Sequence, residues 1–158
     1  MDEAAKKTAL RMIPYGLFVL GVGEGDEATV STINWVTQGS FEPPLVAIGV
    51  KKDTETFGKL KEKNAFAVSV LGTGQKDLAF AFFRHVEPID GKFGDYAYEN
   101  HTTGAPVISD APAWFECKLV ESVETGDHAI IVGEVVAAGV KEEVAVLTLA
   151  ECGVNYGG

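Results

Sequence analysis

Basic and hydroxylic side chains crowd residues 51 to 56, the stretch KKDTET. Lys51 and Lys52 end an apolar run, and Thr54 and Thr56 open an amphipathic one, so a strand hands over to a helix here. A helix N-terminus offers unpaired N–H groups and the positive end of the helix dipole, a ready setting for phosphate. The two lysines and two threonines would complete an anion cradle. On this stretch alone, Asp53 or Thr54 capping the helix beside solvated lysines is the simpler account. Asp53 also opposes an anion unless it turns away.

A second concentration of polar groups lies upstream, in TINWVTQGSFEPPLVAIGV from residue 32 to 50. Thr32, Asn34, Thr37, Gln38 and Ser40 are unusual company in an apolar chain. They are either the solvated face of an ordinary strand or donors and acceptors aimed at a ligand. Two glycine-rich pieces do not add a dinucleotide fingerprint. GVGEGDE joins two strands, and LGTGQKDL has Asp77 where the third glycine belongs and no βαβ unit around it.

The imidazoles are His85, His101 and His128. None has metal-ligand spacing, and His85 and His101 read as surface residues. His128 opens a strand directly after the turn ETGD, where a rim histidine can donate to a carbonyl or move a proton. Cys117 alternates with Phe115 and Leu119 and reads as buried and inert, while Cys152 has no basic neighbour to activate it. No nucleophile elbow or paired carboxylates stand out. A redox or transfer reaction on this chain would borrow its chemistry from a cofactor.

The elements that must position these residues are mostly short strands. Residues 2 to 12 predict a helix with Ala5, Ala9, Leu10 and Met12 as its buried contacts, stopped by Pro14. GLFVLGVG predicts a strand, EGDE a turn, and ATVSTINWVTQ one antiparallel partner strand. LVAIGV predicts a further strand, then a helix over TETFGKLKEK with Phe57, Leu60 and the Lys61 stem inward. AFAVSVLG reads as a strand and GQKDLAFAFF as a helix. Residues 84 to 112 form a long excursion with few periodic signals, a feature often tied to function. AWFECKLVESV places Phe115, Cys117, Leu119 and Val123 on one face, HAIIVGEVVAAGV returns, and AVLTLAE predicts a last strand. The sum is a mainly β chain with a few helices, six or seven antiparallel strands favouring a barrel.

The chain has 158 residues, suited to one domain spanning 1–158, with 46% hydrophobic and 23% charged residues. A net charge of −10 argues against nucleic acid and anionic lipid as partners. No apolar stretch approaches a membrane span, and the N-terminus has neither an apolar signal core nor a cleavage site. Two cysteines are too few for a disulfide framework, so a reduced, cytoplasmic compartment is expected.

Four stretches in order, STINWVTQGSFEPPLVAIGV, KKDTETFGKLKEKNAFAVSVLGTGQKDLAFAF, APAWFECKLVESV and TGDHAIIVGEVV, resemble the flavin reductase-like family of FMN-binding split barrels. The resemblance implies an antiparallel, Greek-key-like split barrel that binds FMN, and a homodimer with flavin sites near the interface. It implies an oxidoreductase in which NADH or NADPH reduces bound FMN, with electrons passing onward to a redox partner. A tight FMN carrier with little nicotinamide activity is the alternative it leaves open. By the same resemblance, Thr32, Ile33, Asn34, Trp35, Val36, Thr37 and Ser40 run along the flavin. Lys51, Lys52, Thr54 and Thr56 hold its phosphate, which reverses the simpler account of that stretch. Phe82, Phe83 and Arg84 close over the ring or ribityl chain, and His128 stands beside the nicotinamide and the flavin edge. Trp35 departs from the family's small-residue pattern, standing either near the ring or in a core at a dimer interface. Tyr156 is either a pocket lid or part of a ragged tail.

Overall fold

Alternation of apolar residues along AWFECKLVESV and HAIIVGEVVAAGV produces the longest hairpin of the structure. A computed structural model describes residues 1–158. In chain order the elements are α1 (Glu3–Arg11), β1 (Phe18–Val22), β2 (Thr29–Ile33), β3 (Val36–Ser40), β4 (Leu45–Lys51), α2 (Glu55–Lys63), β5 (Ala65–Val70) and α3 (Lys76–Ala81). Short strands β6 (Pro88–Ile89), β7 (Lys92–Phe93), β8 (Tyr96–Asn100) and β9 (Pro106–Ile108) follow. The hairpin β10 (Ala113–Val123) and β11 (His128–Val140) and the turn of helix α4 (Leu149–Cys152) complete the chain.

The fold is mainly β. Its principal sheet has seven antiparallel strands in the order β2-β1-β5-β10-β11-β4-β3. The two edge strands β2 and β3 are neighbours in sequence, separated by Asn34 and Trp35 alone. Laid flat, such a sheet would hold its edges about 29 Å apart at ~4.8 Å per strand. Three residues from Ile33 to Val36 reach at most about 11 Å, so the sheet curls until its edges approach. The curl is not closed by a ladder between β2 and β3. The single strand expected over residues 28 to 38 is therefore two strands. The chain leaves β1 at Ile33, and the Trp35 carbonyl accepts from Gly49 N–H on β4 at 2.8 Å.

Inside the curl lies a core of inward residues from successive strands, including Leu20, Val68, Cys117, Ile131 and Ile48. Helix α2 plugs it with Phe57 and Leu60. Thr54 starts that helix, its Oγ1 accepting from Phe57 N–H at 3.3 Å, and Asn64 ends it in the left-handed conformation. Lys61 is exposed rather than packed inward. A second core on the outer side of β1 gathers Leu17, Val19, Leu78, Phe82, Phe93 and Ile108.

Residues 84 to 112 are more regular than their composition suggests. They hold the four-stranded antiparallel sheet β6-β7-β8-β9. β9 runs so close to β1 that a Cβ on Gly21 would stand 2.0 Å from the Pro106 carbonyl oxygen. Glu116, fully buried on β10, ties the turn before β9 by accepting from Thr102 N–H and Thr103 N–H at 2.9 Å and Thr103 Oγ1–H at 2.6 Å.

Three further expectations change. Val123 is exposed, because the β10 register shifts between Leu119 and Glu121 and reverses which side chains face inward. The AVLTLAE stretch makes only isolated bridges at Val146 and Thr148 before turning into α4. No residue of α1 is buried, and Leu10 and Met12 are exposed. The chain's C-terminal residues reach α1 through Lys7 and Arg11, on a polar side of the helix. No helix is long and apolar enough to cross a membrane.

Candidate functional site

Where the sheet edges approach one another, a cleft of about 600 Å³ opens between the end of β2, the start of α2, the end of α3 and the C-terminal segment. Its volume suits a ligand of cofactor size. From β2 and its exit come Thr32, Ile33 and Asn34; from α2 and the strand before it, Lys51, Thr54 and Thr56. Phe82, Phe83 and Arg84 line it from the end of α3, and His128 from the start of β11. Residues far apart in sequence thus converge because α2 and α3 both pack against β2.

Five of the expected residues do not reach this cleft. Val36, Thr37 and Ser40 lie on β3, which pairs with β4 at the opposite edge of the sheet. The Lys52 ammonium donates to the Glu124 carbonyl at 2.8 Å, so it ties the β10–β11 turn instead. Trp35 lies behind the site: its ring packs on Gly49, where a Cβ would stand 2.7 Å from Trp35 Cε3. Its ring centroid is 4.7 Å from that of His128 and 5.4 Å from that of Tyr156. Trp35 thus backs the histidine.

Hydrogen bonding sorts the polar lining into positioning and available groups. Thr32 is committed to α3, its N–H donating to the Phe82 carbonyl at 3.0 Å and its hydroxyl to the Ala79 carbonyl at 2.6 Å. The Thr54 hydroxyl donates to the Lys51 carbonyl at 2.7 Å while capping α2. Asn34 differs. It is only 8% exposed, and its Nδ2 donor has no partner. A buried unpaired amide costs free energy unless something accepts from it.

Two charges at the site are already answered. Asp53 Oδ2 lies 3.2 Å from Lys51 Nζ, so the acid that opposed an anion here is paired. Glu55 Oε1 lies 2.6 Å from Lys59 Nζ, and that hydrogen bond holds its carboxyl below the usual range. Arg84 stays exposed at the rim. Phe82 is core, edge-on to Phe93 and Tyr96, whereas Phe83 is exposed at the cleft, its ring tilted against that of Phe80 with centroids 5.0 Å apart.

His128 has partners on both ring nitrogens, Asp127 Oδ1 at 3.0 Å from Nδ1 and Tyr156 Oη at 2.7 Å from Nε2. A carboxylate only accepts, so Nδ1 carries a proton, and where Nδ1 is the one protonated nitrogen Nε2 accepts from the Tyr156 hydroxyl. The His128 contact holds the Asp127 carboxyl below its ordinary value. Burial raises the Tyr156 phenol, keeping it a donor at neutral pH.

Sequence reasoning missed Ser31, Glu55 and His85 as lining. Ser31 Oγ sits 2.6 Å from Thr56 Oγ1, a contact no spacing rule announces. His85 reached the rim only because α3 ends early, bringing its Nδ1 within 3.3 Å of Glu55 Oε2.

The arrangement combines an unpaired buried amide, a helix start with cations, an exposed aromatic and an imidazole. The family model described as "Flavin reductase like domain" matches residues 10–156. The chain belongs to the flavin reductase-like family. It is 35% identical over 137 residues to a probable flavin reductase of Rhizobium meliloti (strain 1021), covering 86% of this chain and 43% of that protein. It is 38% identical over 145 residues to an NADH-dependent FAD reductase of Streptomyces globisporus, covering 87% of this chain and 76% of that protein. Among curated relatives, therefore, the chain spans less than half of the Rhizobium protein and about three quarters of the Streptomyces one. Among solved structures, the flavin reductase component of a bacterial two-component tryptophan halogenase superposes with a TM-score of 0.81 at 30% identity, covering 96% of this chain and 95% of that one.

The site's own chemistry fits the flavin that family membership implies. Asn34 Nδ2 seeks an acceptor, and the flavin pyrimidine edge presents carbonyl oxygens. The N-terminus of α2, Lys51 and the Ser31–Thr56 hydroxyls suit a phosphate.

Proposed function

We propose that this chain is an FMN-binding, NAD(P)H-dependent flavin reductase with a split-barrel domain over residues 1–158. The observation that carries the reading is Asn34, which lines a cofactor-sized cleft beside a helix N-terminus and holds a buried amide donor without a partner. When bound, FMN supplies the redox chemistry, hydride uptake from a dihydronicotinamide and its onward passage. Asn34 orients the pyrimidine edge. Lys51, Thr56 and the first-turn N–H groups of α2 bind the phosphate, with Arg84 as a second cation. Phe83 covers the ring and excludes water. His128 directs Nε2 at the reacting edge, where it takes or returns a proton, and Asp127 fixes its tautomer.

The name of the Streptomyces relative supports NADH as donor, and that of the halogenase component supports delivery of reduced flavin to a second protein. The acidic surface suits a basic redox partner. The reading includes a homodimer in the reduced cytoplasm.

The bond from Tyr156 to His128 Nε2 favours a second reading, a tight FMN carrier with little nicotinamide activity, because it occupies the nitrogen that a nicotinamide would use. One experiment tests both. The purified protein is titrated anaerobically with NADH or NADPH, with and without added FMN or FAD, while the flavin absorbance is followed. Rapid bleaching supports the reductase, and bound but unbleached flavin supports the carrier. Absence of flavin binding refutes both.

A further inference from the structure

Beside the cleft lies a second hollow of about 480 Å³ between α1 and the C-terminal segment. Leu149, Val154, Asn155 and Tyr156 line both spaces. The partition is thus α4 and the strap that follows it, and the strap is tied down at two points. Tyr156 donates to His128 Nε2 at 2.7 Å, and the Gly157 carbonyl accepts from Arg11 Nε at 3.0 Å. Between these ties Gly157 lies against Tyr15 and Trp35, where a Cβ would be in ordinary contact at 3.8–3.9 Å. The strap has no ladder partner, and Gly153 and Gly157 have φ of +69° and +127°, so it turns on residues without side chains.

We propose that the strap Gly153–Gly158 is a gate for the nicotinamide dinucleotide, latched by Tyr156 on His128 and by Arg11 on Gly157. The inference rests on the reductase reading above. Latched, the strap occupies the imidazole nitrogen and separates the two hollows. Unlatched, it frees Nε2 for the nicotinamide and joins the hollows into one cleft long enough for a dinucleotide beside a flavin. The dinucleotide must break the Tyr156 bond to bind, so the latch sets its apparent affinity by reducing the competent fraction of the protein. Flavin, held by Asn34 and the start of α2, does not compete with the latch.

The test uses Y156F and R11A. Y156F keeps the ring and removes the donor, and R11A removes the other tie and keeps the tyrosine. The expected result is a KM for the dinucleotide about fivefold lower in each, the fold-change of one ordinary hydrogen bond. FMN affinity should change less than about twofold, since the latch touches no flavin-holding group. A readout free of flavin accompanies it: the 15N resonance of His128 Nε2 in R11A should move towards that of an imidazole nitrogen without a hydrogen bond. An unchanged or raised KM in Y156F overturns the gate, as does R11A with Nε2 still bonded. A wild-type protein that binds no flavin overturns function and gate together. Wild-type turnover with an unmoved Y156F KM overturns the gate alone.

Discussion

His128 and Tyr156, 28 residues apart in sequence, meet with Nε2 2.7 Å from Oη. This bond joins the β10–β11 hairpin to the C-terminal segment at the mouth of the cleft, with Trp35 packed behind both rings. It places the histidine under the control of a residue outside the sheet. The site's behaviour therefore depends on contacts that the strands alone do not make.

Lys51 and Lys52 should separate cleanly in binding. Lys51→Ala removes a cation at the start of α2, and FMN affinity should fall about tenfold, the scale of a charged hydrogen bond. Lys52→Ala loosens the Glu124 turn and should change FMN affinity less than about twofold. Quenching of flavin fluorescence measures both. Equal losses in the two variants would refute the placement of the phosphate.

Asn34→Leu trades stability against binding. In the flavin-free protein it removes a buried donor that lacks a partner. Relief of roughly 1 kcal/mol should raise the melting temperature by about 2–4 °C. FMN affinity should fall at least about tenfold, because the pyrimidine edge loses its donor. A variant that is destabilised and still binds flavin normally would contradict the role given to this amide.

Glu116→Ala should cost about 3 kcal/mol, read from urea unfolding, because it strands two backbone donors and a hydroxyl. Loss should be local first. The amides of Thr102 and Thr103 should exchange faster while those of β11 stay protected.

Cys117 should resist alkylation in the native state. Burial, with the neighbouring Glu116 charge adding, pushes its thiol up to about 12. The native state thus holds the proton more tightly than the unfolded chain, whose thiol loses it near pH 8.5. Native stability is therefore untouched by this thiol below that pH and falls as pH rises from there towards 12. Iodoacetamide at pH 8.5 should label Cys117 in urea and leave it unlabelled in buffer. Rapid native labelling would show that the curled sheet opens.

Much of this architecture was legible because local patterning decides it. Thr54 and Pro14 marked helix limits through capping and ring geometry, and the two-residue periodicity of β10 and β11 marked the hairpin. The prolines of EPP lie in the turn that returns β3 to β4. Glu116 escaped because alternation assigned it to solvent, and only the packing of β8 and β9 over the sheet buries it. Val123 escaped because a bulge shifts register without a signature residue.

The sequence by itself determined β1, β4, β5 and the β10–β11 hairpin, the helix start at Lys51–Thr56 and the family resemblance, since these rest on neighbours along the chain. Tertiary structure alone decided which members of one polar run share the cleft. At Asn34–Trp35 the chain crosses between the two edges of a curled sheet, so Asn34 faces the cleft while Thr37 and Ser40 do not. It also decided that Lys51 faces the site, Lys52 faces a turn, and Tyr156 holds His128. The physical reason is common to all three. Spacing sets the side of a strand on which a residue stands, but the curl of the sheet and the path of the C-terminal segment set what lies opposite.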